Sequence, residues 1–126
     1  MGYKFYNPNP DRKFVGDCVI RAISRILSMD WEETYLGVAA MGLALHDMPS
    51  SDDVWGEFLR RRGFVKNILP DTCPYCYTVQ QFAIDHPYGR YLLKTSWHVV
   101  AVVDGCYFDT SDSGNEVPIY YWAKEM

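Results

Sequence analysis

The chain has 126 residues, 48% of them hydrophobic and 22% charged, with a formal net charge of −4. That is globular composition, long enough for one domain over 1–126 with a real core and no need of staples. The acidic balance, with no basic run beyond Arg60-Arg61-Arg62, argues against a nucleic-acid partner, and no stretch approaches the ~18 apolar residues of a membrane span.

The opening Met1-Gly2-Tyr3-Lys4-Phe5-Tyr6 lacks the apolar core of an export signal, so the expected location is cytoplasmic and the four cysteines read as thiols before a disulfide framework. Residues 1–15 are expected to form an extended arm, because Pro8 and Pro10 disfavour helix in the residues before them. A first helix is expected over about 17–29, with Val19, Ile23, Ile26 and Leu27 on its apolar side and Arg21, Arg25 and Ser28 on the other. Asp30 and Glu33 form a capping-box pattern for a second helix over about 31–45. Ser50 or Ser51 can cap a third that carries Val54, Phe58 and Leu59 and stops at Gly63. Thr78 and Gln81 repeat the pattern before a short fourth helix, closed at His86-Pro87.

From residue 90 the period changes from helix to strand. Segments 91–95, 98–103, 106–110 and 117–122 read as about four mostly antiparallel strands, giving an α+β domain with its helices packed on one sheet. Asp104-Gly105 is a two-residue hairpin signal, so Val103 should face Cys106 and Val100 should face Asp109. His98 and Asp109 then share a face as diagonal neighbours, and Cys106 falls on the other. Cys18 sits at the first helix start, where free N–H groups and the dipole lower a thiol's pKa. Together they make a nucleophile, a base and an orienting acid. Each has a duller reading: a buried thiol, a hydrogen-bonded strand histidine and a strand-ending aspartate.

In this order and in these elements, the run from His98 to Thr110 together with Cys18 resembles the papain-like cysteine peptidases. The likeness is to compact forms, such as the leader-peptidase domains of bacteriocin exporters and small phage or bacterial relatives. The resemblance implies a papain-like fold, with a Cys-bearing helix on an antiparallel sheet, and a Cys18–His98–Asp109 triad. It implies hydrolysis of a peptide, isopeptide or side-chain amide, with a peptide or protein substrate and no cofactor or metal. The family usually sets a Gln or Asn shortly before the Cys as an oxyanion donor. Arg12 stands six residues before Cys18, and the nearest amides are Asn7 and Asn9. Asn9 is the candidate, acting with the Cys18 N–H; an Asn that caps a turn in the arm is the alternative. Trp97 can wall the substrate groove or fill core, whereas Trp31, Trp55 and Trp122 read as core.

Two other classes fit parts of the chain. One is a non-catalytic binding or accessory protein with the same fold. The other is a thiol-redox or zinc protein built on Cys73-Pro74-Tyr75-Cys76, a reading that lacks the strand before and helix after and has only one CxxC pair. A loop ahead of the fourth helix, open to a reversible disulfide, is the plainer account of that motif.

Overall fold

Ten short elements build a six-stranded sheet with helices on both faces. The computed structural model describes residues 2–124, so Met1 of the expected arm and residues 125 and 126 of the expected domain lie outside the described residues. In chain order the elements are β1 (Gly2–Phe5), α1 (Cys18–Leu27), α2 (Trp31–Leu45), α3 (Asp52–Arg60), β2 (Phe64–Ile68), α4 (Val79–Asp85), β3 (Arg90–Lys94), β4 (Val99–Val103), β5 (Cys106–Asp109) and β6 (Tyr120–Lys124). The class is α+β, and the sheet order is β1-β5-β4-β3-β6-β2.

Helix boundaries follow local chemistry. Asp30 caps α2 through the Glu33 N–H at 2.7 Å, and Thr78 caps α4 through the Gln81 N–H. α1 ends at Ser28, which turns left-handed at φ 54°, and Arg90 reaches across from β3 to the Ile26 carbonyl at 2.9 Å. That donor satisfies a carbonyl which the helix end leaves open. The β4–β5 hairpin turns at Asp104 and Gly105, both at positive φ, with Val103 opposite Cys106 as the turn signal requires.

The sheet departs from the expected four antiparallel strands. It has six, and it is mixed, because the N-terminal arm pairs with β5 in parallel, Gly2 with Cys106 through Phe5 with Asp109. The arm is thus a strand that braces β5, with the Tyr6 N–H continuing the pairing onto the Asp109 carbonyl at 2.9 Å. At the other edge β2 pairs antiparallel with β6. Neither segment has a strong alternating pattern, since an edge strand is buried on few positions and takes its partner from far along the chain.

Side chains alternate between two cores. Leu92, Val99, Ala101, Val103 and Trp122 face α1, α2 and α3, while Leu93, Val100, Val102 and Tyr107 face α4. The helices pack on both sides of this one sheet, because α4 covers the face opposite α1, α2 and α3. α1 is buried nearly all round, and the α2–α3 contact is close: a Cβ on Gly37 would sit 2.7 Å from Phe58 Cε1. Arg21, expected on the solvent side of α1, is among its buried residues.

Phe82 holds α4 to the sheet, stacked on His86 and edge-on to Tyr91 and Tyr121. It is fully buried, so Phe82→Ala should cost about 3–5 kcal/mol. Urea denaturation should show this as a lower midpoint at an unchanged slope. An unchanged midpoint would mean that α4 is not held through this ring.

Candidate active site

Cys18 is the first residue of α1, preceded by Asp17 at the N-cap position. Asp17 makes no side-chain cap bond to the helix. Its carboxylate instead accepts Arg21 Nη1 at 2.6 Å and Trp31 Nε1 at 2.9 Å. The N–H groups of the first turn, at Cys18, Val19 and Ile20, are thereby left to a ligand, at the positive end of the helix.

His98 stands one residue before β4, in a hairpin tied by buried Thr95. The Thr95 Oγ1 accepts the His98 N–H at 3.0 Å, and the Thr95 N–H donates to the His98 carbonyl at 2.9 Å. The His98 Nε2 lies 2.6 Å from Asp109 Oδ2, which leaves Nδ1 as the ring nitrogen for the thiol. Asp109 ends β5, and its other oxygen accepts Arg21 Nη2 at 2.9 Å and the Thr110 N–H at 2.7 Å. Arg21 thus joins Asp17 to Asp109, with both carboxylates and the guanidinium almost wholly out of water. The chain of contacts runs Trp31–Asp17–Arg21–Asp109–His98–Cys18.

Each protonation state has a physical cause. Burial pushes the Cys18 thiol up, but the hydrogen bond and charge of His98, the Val99 backbone and the Arg21 charge pull it below its ordinary value. Burial pulls the His98 imidazole down, yet its hydrogen bonds to Asp109 and Cys18 and their charges carry it up to about 9. Burial raises Asp109 as well, and His98 with the Thr110 N–H more than offsets it, so the carboxyl lies below its usual range. All three shifts favour a thiolate–imidazolium pair at neutral pH.

The pair opens on a cavity of about 630 Å³ between the starts of α1 and α3, one side of α2 and the β3–β4 hairpin. Its walls are mostly apolar, with Trp31, Tyr35, Met48, Trp55 and Trp97 among the lining residues. Trp97 packs beside His98 and is 73% exposed, so it walls the cavity and does not fill core. Trp55 and Trp122 are buried as expected, but Trp31 is only half-buried and belongs to the cavity.

The structure therefore brings Cys18, His98, Asp109 and Trp97 together. Asn9 is not among the residues that line their cavity: it is buried in the arm, where its side-chain oxygen accepts the Asp11 N–H at 2.9 Å. Cys106 stays apart for a reason other than the face it occupies. Its neighbour on that face, Phe108, packs toward α1, and Cys106 pairs with Val103, five residues from His98 and so roughly 16 Å along the strand. Cys73 and Cys76 are joined as a disulfide in the loop ahead of α4. Arg21 and Thr95 are the residues sequence reasoning missed. The one available signal for Arg21 was its i,i+4 spacing from Asp17.

Comparison of the chain with protein-family models, with curated proteins and with solved structures returned no match. Among the described residues, no helix is long and apolar enough to cross a membrane.

Removing the guanidinium tests the cluster directly. Arg21→Met leaves the buried Asp17 carboxylate without a cation and Asp109 with His98 alone, and should cost about 3–5 kcal/mol. The loss should shrink at acid pH, where Asp109, held below its usual range in the parent, gives up the charge that the guanidinium meets. Equal stability of Arg21→Met and the parent in urea at pH 7 would rule out this role.

Proposed function

We propose that the chain is a papain-like cysteine peptidase or amidase that hydrolyses a peptide, isopeptide or side-chain amide. The observation that carries this reading is His98, held by Asp109 on one nitrogen and set beside a helix-start thiol at the end of an apolar cavity. The geometry has the parts that nucleophilic acyl transfer needs.

In this reading the Cys18 thiolate attacks the acyl carbon, and the carbonyl π pair moves onto oxygen. The Cys18 N–H, with the open first turn of α1, donates to that oxyanion. His98, already protonated, gives its proton to the leaving nitrogen, which departs as an amine and leaves a thioester. His98 then takes a proton from water as the water attacks, and collapse expels the Cys18 sulfur, which frees the acid and restores the thiolate–imidazolium pair. Asp109 fixes which ring nitrogen faces the thiol and steadies the imidazolium. Cys18 and Cys106 are free thiols, which suits the reducing cytoplasm, and the exposed Cys73–Cys76 pair is open to reduction there.

A second reading, a papain-like binding protein without turnover, has one observation in its favour: no Asn or Gln side chain is among the residues that line the cavity. Thiol reactivity is common to both readings; hydrolysis belongs to the first.

The pH dependence follows from the signs of the shifts. A lowered thiol value keeps the thiolate present where a free cysteine is protonated, and an imidazole raised to about 9 stays charged over the same range. Iodoacetamide should therefore modify Cys18 ahead of Cys106 at neutral pH, with a rate that falls only below the ordinary thiol range. His98→Ala leaves burial largely unopposed, so the thiol should rise and neutral-pH labelling should slow by about tenfold for each unit of that rise. Peptide mapping after timed labelling reads both. Amide hydrolysis that survives Cys18→Ala, on any substrate found, would overturn the mechanism.

A further inference from the structure

The wall opposite His98 is built from α2 and the start of α3, and its charge is one-sided. Residues 28–59 contain no Lys or Arg. Within that stretch Glu57 is ion-paired with Arg60 and Arg61 on α3. Asp30, Glu32, Glu33, Asp47, Asp52 and Asp53 are exposed, and none has an ion-pair partner among the described residues. Asp52 lines the cavity itself. Besides the His98 imidazolium, the one cation among the lining residues is Lys94, which comes from β3 and donates its Nζ to the Thr95 carbonyl at 2.7 Å.

The same wall is apolar where it is not acidic. Tyr35 and Ala39 of α2 line the cavity, and the helix carries apolar side chains beyond it. Leu36, Ala40 and Leu43 recur at helical spacing on exposed positions, with Leu36 69% and Leu43 77% exposed. Met48, at the cavity's edge, is also exposed. An apolar stripe of this kind on one helix, continuous with a cavity, is the pattern of a docking surface and not of scattered surface residues. The six carboxylates without an ion pair lie on or next to the same two helices, Asp52 accepting the Tyr120 hydroxyl at 2.9 Å, and they set the sign of what can dock. The exposed rings of Tyr35 and Trp97 add faces on which a cation can stack.

We infer that the substrate of this site is a cationic, apolar polypeptide segment. Its bulky apolar side chains enter the cavity and lie along the Leu36–Leu43 stripe of α2, and its Lys or Arg side chains meet the acidic residues of α2 and α3. The inference rests on the hydrolase reading and deepens it by naming the class of chain that reaches Cys18. An acidic segment is repelled by the same wall, so charge as well as shape decides entry.

The test uses thiol-reactive peptide ketones of one length in three versions: Leu/Phe-rich with Lys, the same with Glu for Lys, and the Lys version with Ser for Leu and Phe. The rate of covalent labelling of Cys18 is read by mass spectrometry, beside labelling by iodoacetamide, which needs no docking. The Lys–apolar probe should react about tenfold faster than either other probe, and its lead over the Glu probe should narrow as salt is raised. Leu36→Ser with Leu43→Ser, on exposed positions away from Cys18, should slow that probe severalfold and leave the iodoacetamide rate unchanged. Equal rates for the Lys and Glu probes, with iodoacetamide still selective for Cys18, would overturn this inference and spare the hydrolase reading. Loss of that selectivity would instead strike the hydrolase reading itself. A dimer in sedimentation equilibrium that Leu43→Ser dissociates would assign the stripe to a second copy of the chain and also overturn the inference.

Discussion

The candidate site depends on one buried guanidinium. Arg21 lies between Asp17 and Asp109, at 2.6 and 2.9 Å, with all three side chains almost excluded from water. Two carboxylates against one cation leave this cluster with one negative charge in excess. A buried excess charge is costly, and the structure meets it by placing a titratable ring against Asp109. Burial alone would pull that ring down; its hydrogen bonds to Asp109 and Cys18, and their charges, carry it above its ordinary value instead. The imidazolium in turn draws the neighbouring thiol down. The thiolate–imidazolium pair is therefore favoured by Asp109, which holds His98, and by the Arg21 charge, which acts on Cys18 as well.

That cluster also explains why the fold needs its long-range pairings. Asp109 can reach both Arg21 and His98 only if β5 ends where it does. Two neighbours fix that end: β4 through the Asp104-Gly105 hairpin, and β1 in parallel from the far side. The Tyr3 hydroxyl and the Tyr6 N–H both donate to the Asp109 carbonyl, so the arm holds the backbone whose side chain orients His98. Across the sheet, Thr95 does the same for His98 by closing the turn before β4. The functional side chains thus sit at strand and helix ends, while their backbones are fixed by bonds made elsewhere.

Much of this was legible in the sequence because it rests on local signals. The α2 and α4 caps and the hairpin register are set by residues within a few positions of one another. The register alone paired His98 with Asp109. Three things were not legible, and each depends on contacts distant in sequence. The partners that turn Arg21 from a surface cation into a buried one include Asp109, 88 residues away. β1 and β2 are edge strands whose partners arise from the far end of the chain. α4 packs on the opposite face because Phe82 finds Tyr91 and Tyr121 there. Asn9 is a local matter: its oxygen accepts the Asp11 N–H in an Asx turn, the turn-capping alternative that the arm's sequence offered.

The unusual start of α1 ties these points together. Aspartate is a favoured N-cap, and at position 17 it could accept an N–H from the first turn, as Asp30 does for α2. Such a cap would set a carboxylate at the positive end of the helix, in competition with a thiolate or a developing oxyanion. By turning to Arg21 and Trp31, Asp17 leaves that end open and anchors the guanidinium that steadies Asp109. It also fixes Trp31 as a wall of the cavity. The lost cap, worth about 1 kcal/mol, is offset by charge-assisted bonds inside the fold. Fold stability and the chemistry available at Cys18 therefore meet in the choice of partner made by one side chain.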